Sequence, residues 1–215
     1  LIGMVVGIMQ ERMYIAVKRV AQIAFTMGLL MSCSSTHVRG NATIDSFNAA
    51  KKHVYTVHQM QSTTFYCACA YAGKSILPKR CSYTPRGASV RARRVEVDHI
   101  VPAAHFGRTF TAWTGGHREC VDSKGQSFKG RNCARKTSEL FRRMESDLYN
   151  LRPAIGELNQ ARRDFKMGEI PGEERHFGRC DVEVNNQLFE PPPKIRGDVA
   201  RMWFYMEWAY PGRIT

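Results

Sequence analysis

Val95-Glu96-Val97-Asp98-His99-Ile100-Val101-Pro102-Ala103 is the stretch on which the fold turns. Val95, Val97, Ile100 and Val101 are β-branched and Pro102 closes the run, which predicts a short strand that delivers an adjacent acid and imidazole to its end. A second stretch, Met144-Glu145-Ser146-Asp147-Leu148-Tyr149-Asn150-Leu151-Arg152-Pro153-Ala154-Ile155-Gly156-Glu157-Leu158-Asn159, is expected to complete the site. Here residues 148–151 read as a returning strand, and Pro153 suits the first turn of a helix over residues 154–165. Ile155 and Leu158 then face inward, and Asn159 emerges at the helix edge towards the first strand.

These residue types suit attack on a phosphodiester. The phosphate is already negative and its leaving alkoxide is poor, so one divalent ion can neutralise the first and stabilise the second. Mg²⁺ takes oxygen ligands and keeps several waters, so the carboxylate of Asp98 and the amide carbonyl of Asn159 suffice to hold it. Mn²⁺ and Ca²⁺ accept the same donors. The neutral imidazole of His99 can take a proton from water, and the guanidinium of Arg131 can grip phosphate oxygens in a bidentate fork. An Asp-His pair alone is common, and a structural histidine bonded to a carboxylate is the plainer reading of it.

Bulk properties point the same way. The 215 residues are 43% hydrophobic, which suits one domain with a sizeable core plus a short extra segment. The net charge of +13 favours a polyanionic partner, nucleic acid before an anionic membrane surface. Arg93 and Arg94 precede the first strand, and Lys124 and Lys129 lie on a glycine-rich loop before Cys133. With Arg162 they are the residues expected to touch a nucleic-acid backbone. A solvated strand edge is the competing account of the arginines.

Residues 1–33 have the layout of a secretory signal: Lys18 and Arg19 precede an apolar run over residues 20–31 that is too short for a membrane span. Leu30-Met31-Ser32-Cys33 resembles a lipoprotein cleavage box, so a lipid anchor on Cys33 is an alternative to ordinary cleavage. Without Cys33 the cysteines are Cys67, Cys69, Cys81, Cys120, Cys133 and Cys180, an even set that suits disulfides in an oxidising compartment. Cys120 and Cys133 bracket one loop and are expected to pair, whereas Cys67 and Cys69 are too close in sequence to pair with each other. A zinc site fits the spacings less well. Outside the central motif, helices are expected over residues 47–59 and 196–210, a strand over residues 63–71, and a long loop up to Cys133.

Asp98-His99-Ile100-Val101-Pro102-Ala103, followed by Phe106-Gly107, resembles the signature of the bacterial endonuclease I family. The resemblance continues through Gly130-Arg131-Asn132-Cys133, residues 144–151, residues 153–159, Glu190-Pro191-Pro192 and Arg196-Gly197-Asp198-Val199-Ala200-Arg201, and includes Thr64-Phe65-Tyr66-Cys67-Ala68-Cys69. It covers residues 41–210 in order. It implies an α+β, mainly helical single domain over residues 34–215 around a ββα-metal (His-Me finger) core. It also implies a periplasmic or secreted, monomeric nuclease that cleaves DNA, and often RNA, without sequence preference and leaves 5′-phosphate ends. His99 would be the general base, Asp98 and Asn159 the metal ligands, Arg131 the phosphate contact, and Glu145 and Asn150 supporting residues. Asp98 stands where the family more often has Glu. Family members commonly continue beyond the position of Tyr210, so a C-terminally truncated, inactive nucleic-acid-binding protein is a second expectation. An HNH-type nuclease is a third, since Asp98-His99-Ile100-Val101-Pro102 also suits that class.

Overall fold

The structure, a computed structural model, describes residues 39–77, 81–172 and 174–215. The signal and lipid site expected over residues 1–33 lie outside those residues. In chain order the elements are α1 (Phe47–Val57), β1 (Tyr71–Ala72), β2 (Ser75–Ile76), β3 (Val95–His99), α2 (Ala103–Gly107), α3 (Thr111–Thr114), α4 (Arg131–Thr137), α5 (Glu139–Glu145), β4 (Leu151–Ile155), α6 (Gly156–Arg162), β5 (Lys166–Met167), β6 (Glu183–Asn185), β7 (Leu188–Glu190) and α7 (Pro193–Ala209). The mixture is α+β, and the described residues form three small sheets: β1-β2, β3-β4 and β5-β7-β6.

The centre is the antiparallel ribbon of β3 and β4, in the register Val95↔Ile155, Val97↔Pro153 and His99↔Leu151. Strand alternation sends Val95, Val97 and His99 to one face and Glu96 and Asp98 to the other. On the first face lies α1, whose Ala50 and Val54 pack with Val97 and Leu151. On the second lies α6, whose Asn159 and Arg162 bond to Glu96 and Asp98. Leu158 joins Ile100, Ala154 and Ile155 in the largest core cluster. A second cluster gathers Val101, Phe106, Phe141 and Met144 against Met206 of α7.

Pro153 corrects the sequence reading, because it lies in β4 and not in a helix. Ile100 donates its N–H to the Asn150 carbonyl and Gly156 donates its N–H to the Arg94 carbonyl. Antiparallel alternation then makes Val97↔Pro153 a non-hydrogen-bonded pair, so the proline nitrogen points away from β3 and costs the ladder nothing. The helix starts at Gly156. There an added Cβ would come within 2.8 Å of both the Arg91 carbonyl and the Glu96 carboxylate, so only glycine lets α6 begin against the ribbon. Residues 148–150 form a 3₁₀ turn, not the expected strand.

Residues 63–70 also depart from expectation. Ala68 has φ +49°, which no strand accommodates, and the segment is tied down by Cys67–Cys180 and Cys69–Cys81. Cys120–Cys133 closes the loop as expected. That loop ends at Gly130, whose φ of +84° turns the chain into α4 and starts the helix with Arg131. All six cysteines from Cys67 to Cys180 are thereby paired, which leaves none for zinc. Among the described residues no helix is long and apolar enough to cross a membrane.

In the chain-entropy account a cross-link stabilises more when it closes a longer loop. Cys67–Cys180 spans 113 residues of sequence and Cys69–Cys81 spans 12. Replacing the first pair by serines is expected to cost about 4–5 kcal/mol and the second about 3 kcal/mol. Urea unfolding of the two double variants checks this order, and equal losses would contradict it.

Candidate active site

An open cleft of about 1070 Å³ runs along β3 and takes in both faces of the ribbon. Asp98, His99, Arg131, Asn159, Arg162 and Arg94 all line it. The tertiary fold thus brings together the expected acid, imidazole, guanidinium and amide. Arg93, Lys124 and Lys129 are exposed but do not line the cleft, and neither do Glu145 and Asn150, which stand behind it.

His99 is buried and its Nε2 lies 2.8 Å from the backbone carbonyl of Glu145. A carbonyl only accepts, so Nε2 carries the proton and Nδ1 keeps its lone pair. Phe47 of α1 packs against the ring at 4.8 Å between centroids. Burial, then the positive charge of Arg131, pushes the His99 pKa down to about 3, so the imidazole is neutral at working pH.

Glu145 links the imidazole to the guanidinium. Its carbonyl holds His99, while its carboxylate accepts from Arg131 Nε at 2.5 Å and from Arg135 Nε at 2.8 Å. Burial alone would raise this carboxyl, but the bonds from Arg135 and Arg131 outweigh it and hold the group below its ordinary range. Arg131 also lies over the Phe47 ring, and its buried Nη2 has no partner among the described residues. That leaves a donor free at the edge of the cleft.

Asn150 is fully buried and works through the backbone. Its Oδ1 accepts from the Val101 N–H at 2.7 Å and its Nδ2 donates to the Val101 carbonyl at 2.9 Å. The chain leaving β3 is therefore clamped two residues beyond His99.

Asp98 and His99 occupy opposite faces, as neighbours on a strand must. The Asp98 carboxylate accepts from Tyr66 Oη at 2.6 Å and from Arg162 Nε at 2.9 Å, and Arg162 Nη2 bonds both Asp98 Oδ1 and the His99 carbonyl. Arg162, expected at the nucleic-acid surface, is instead buried at the wall of the cleft: it spends its charge on Asp98, and its Nη1 has no partner among the described residues. Burial lowers its pKa and the Asp98 charge more than restores it. Asn159 donates Nδ2 to Glu96 Oε2 at 2.9 Å, and Arg91 and Arg94 also pair with Glu96.

Among the described residues no cluster of three or more His, Cys, Asp or Glu could hold a metal. A cation here would rest on a smaller oxygen set. The donor chemistry fits one: Asn159 turns its amide nitrogen to Glu96, which frees its carbonyl oxygen. Asp98 accepts three hydrogen bonds, one from Tyr66 and two from Arg162, against the roughly four acceptor positions of a carboxylate.

Several contributors escaped the sequence reading. Glu96 carried a usable signal, because it shares a strand face with Asp98. Tyr66 carried none, since only the disulfide-bound turn over residues 63–70 brings it to Asp98. Phe47 reads as an ordinary core residue of an amphipathic helix. Lys51, Lys52, Lys74 and Arg163 line the cleft from elements far apart in sequence.

Comparison with known proteins agrees with the motif. A sequence model of the Endonuclease I family matches residues 14–215. An extracellular deoxyribonuclease of Aeromonas hydrophila is 35% identical over 179 residues, covering 80% of this chain and 72% of that protein. Endonuclease-1 of Buchnera aphidicola subsp. Acyrthosiphon pisum is 34% identical over 78% of this chain and 64% of its own length. A periplasmic deoxyribonuclease of Aeromonas hydrophila is 34% identical over 79% of this chain and 69% of its own length.

Two outcomes follow from this geometry. Asn150→Ala strands both the N–H and the carbonyl of Val101 in the interior, which is expected to cost about 2–4 kcal/mol in urea unfolding; a loss under 1 kcal/mol would contradict the clamp. The His99 pKa is lower in the folded chain than the ordinary 6.5, so the unfolded chain binds the extra proton. Stability from this group is present above pH 6.5 and is lost as pH falls towards 3. Nitrogen NMR of the imidazole at pH 5 is expected to show a neutral ring protonated on Nε2.

Proposed function

This chain belongs to the endonuclease I family, and on that premise we propose that it is a periplasmic or secreted endonuclease that hydrolyses DNA. We extend the reading to RNA, to cleavage without sequence preference, to 5′-phosphate products, and to a monomer that uses Mg²⁺, with Mn²⁺ or Ca²⁺ as substitutes. The ribbon β3-β4 with α6 is our candidate for a ββα-metal core.

One observation carries the reading. His99 is fixed through Nε2 on a carbonyl, which leaves Nδ1 as a base in a cleft shared with Arg131, Asp98 and Asn159. In this reading Nδ1 takes the proton of the attacking water. Arg131 holds a non-bridging phosphate oxygen, oriented by the Glu145 carboxylate. Asn150 keeps the turn after His99 in place. An arriving phosphate offsets the charge of Arg131 and so makes the imidazole a stronger base than it is in the free protein. Asn159 and Asp98 are the residues that would hold a divalent ion, whose chemistry is to neutralise the phosphate and stabilise the departing oxygen.

Plasmid DNA and an RNA transcript incubated with the purified protein and Mg²⁺ are expected to be degraded, and EDTA is expected to stop both. His99→Ala should lower the rate by about 10²–10⁴-fold while the circular dichroism spectrum stays unchanged. Cleavage by a folded His99→Ala variant at the wild-type rate would remove His99 as the base.

A further inference from the structure

Lys51, Lys52, Lys74 and Arg163 line the cleft, and none of them forms an ion pair among the described residues. The acids of the same cleft are already matched: Glu96 by Arg91 and Arg94, Asp98 by Arg162, and Asp164 by Arg108. The cleft therefore keeps a surplus of positive charge that no acid among the described residues neutralises.

The four cations come from both sides of β3. Lys51 and Lys52 sit on α1, over the face that carries His99. Lys74 lies at the free edge, where its carbonyl accepts from the Val95 N–H. Arg163 follows α6, over the face that carries Glu96 and Asp98. Lys51 and Lys74 rest on aromatic rings, Phe47 at 5.1 Å and Tyr55 at 5.9 Å. Arg163 lies 5.8 Å over Phe165.

Arg163 carries a second, independent sign. Its backbone has φ +53° and ψ −128°, a region that favours glycine and strains an L side chain. Among the described residues the other non-glycine positions with positive φ have local reasons: Ala68 lies between two disulfide cysteines, and Asn186 and Gln187 form the β6-β7 turn. Arg163 is the C-cap of α6 and is exposed; its guanidinium rests over the Phe165 ring, and it forms no ion pair among the described residues. Strain of this kind persists where function selects the side chain.

We propose that Arg163 on one side of β3, and Lys51, Lys52 and Lys74 on the other, form a phosphate-binding rim for the nucleic-acid backbone flanking the reacting phosphate. The inference rests on the nuclease reading, and it extends the contact surface beyond the catalytic group. The strand would pass across the β3 edge, with one flank on α1 and the other on the end of α6.

The test is fluorescence anisotropy of a labelled DNA duplex against NaCl from 50 to 200 mM, in EDTA so that no cleavage intervenes. Each lost phosphate contact lowers the salt slope of binding by about 0.9. Arg163→Gly is expected to lower the slope by about 0.9 while Tm stays level or rises, because glycine relieves the backbone. Lys51→Ala with Lys52→Ala should lower it by about 1.8. Lys194→Ala, an exposed lysine of α7 outside the cleft, should leave it unchanged. Unchanged slopes in both rim variants, or no binding by the wild-type chain, would overturn the rim. A lower Tm for Arg163→Gly would overturn the assignment of Arg163. Wild-type protein that binds with this slope yet cuts nothing with any divalent ion would refute the nuclease reading and leave the rim standing.

Discussion

The ion pair between Asp98 and Arg162 sets the geometry of the cleft. Both side chains are 2% exposed, and the arginine also reaches the His99 carbonyl. Taking two charges out of water is costly, and only close pairing with further hydrogen bonds repays it. Tyr66 supplies one of those bonds and the His99 carbonyl another. The pair pins the last turn of α6 to the end of β3, which sets Asn159, one turn earlier, against Glu96. Loss of either partner leaves a buried charge uncompensated, so this contact is worth more as a geometric constraint than as net stability.

The two faces of β3 divide the chemistry. On the α1 face, burial and Phe47 keep the imidazole neutral, and the Glu145 carbonyl selects its tautomer. On the α6 face, oxygen donors gather around a guanidinium that already balances one of them. The faces meet at the free edge of the ribbon, which among the described residues no neighbouring strand covers beyond Val95. An open edge is ordinarily a liability for a sheet. Here it lets one cleft take in residues from both sides.

Much of this was legible in the residues. The β-branched residues of Val95-Glu96-Val97 announced β3, whereas the expected loop up to Cys133 in fact ends at Gly130, where α4 begins. Pro153 misled because proline is equally at home in the first turn of a helix and at a non-hydrogen-bonded strand position. The partner strand decides between them, and register is a property of the pair. Residues 63–70 misled for a similar reason: aromatic, β-prone composition was overridden by two disulfides, one to nearby Cys81 and one to distant Cys180.

By itself the sequence determined the kinds of group present and the local devices that present them: an acid and an imidazole at a strand end, an amide on the following helix, a basic surplus, and cysteines suited to oxidation. Those are matters of composition and short-range periodicity. Only the tertiary structure decided which group faces which. It turned Arg162 from a surface cation into the partner of Asp98, made Glu145 a link between imidazole and guanidinium, and brought Lys51, Lys74 and Arg163 to one cleft. Burial and charge pairing act through space, between elements that strand register and helix packing bring together, so no local window of residues contains them.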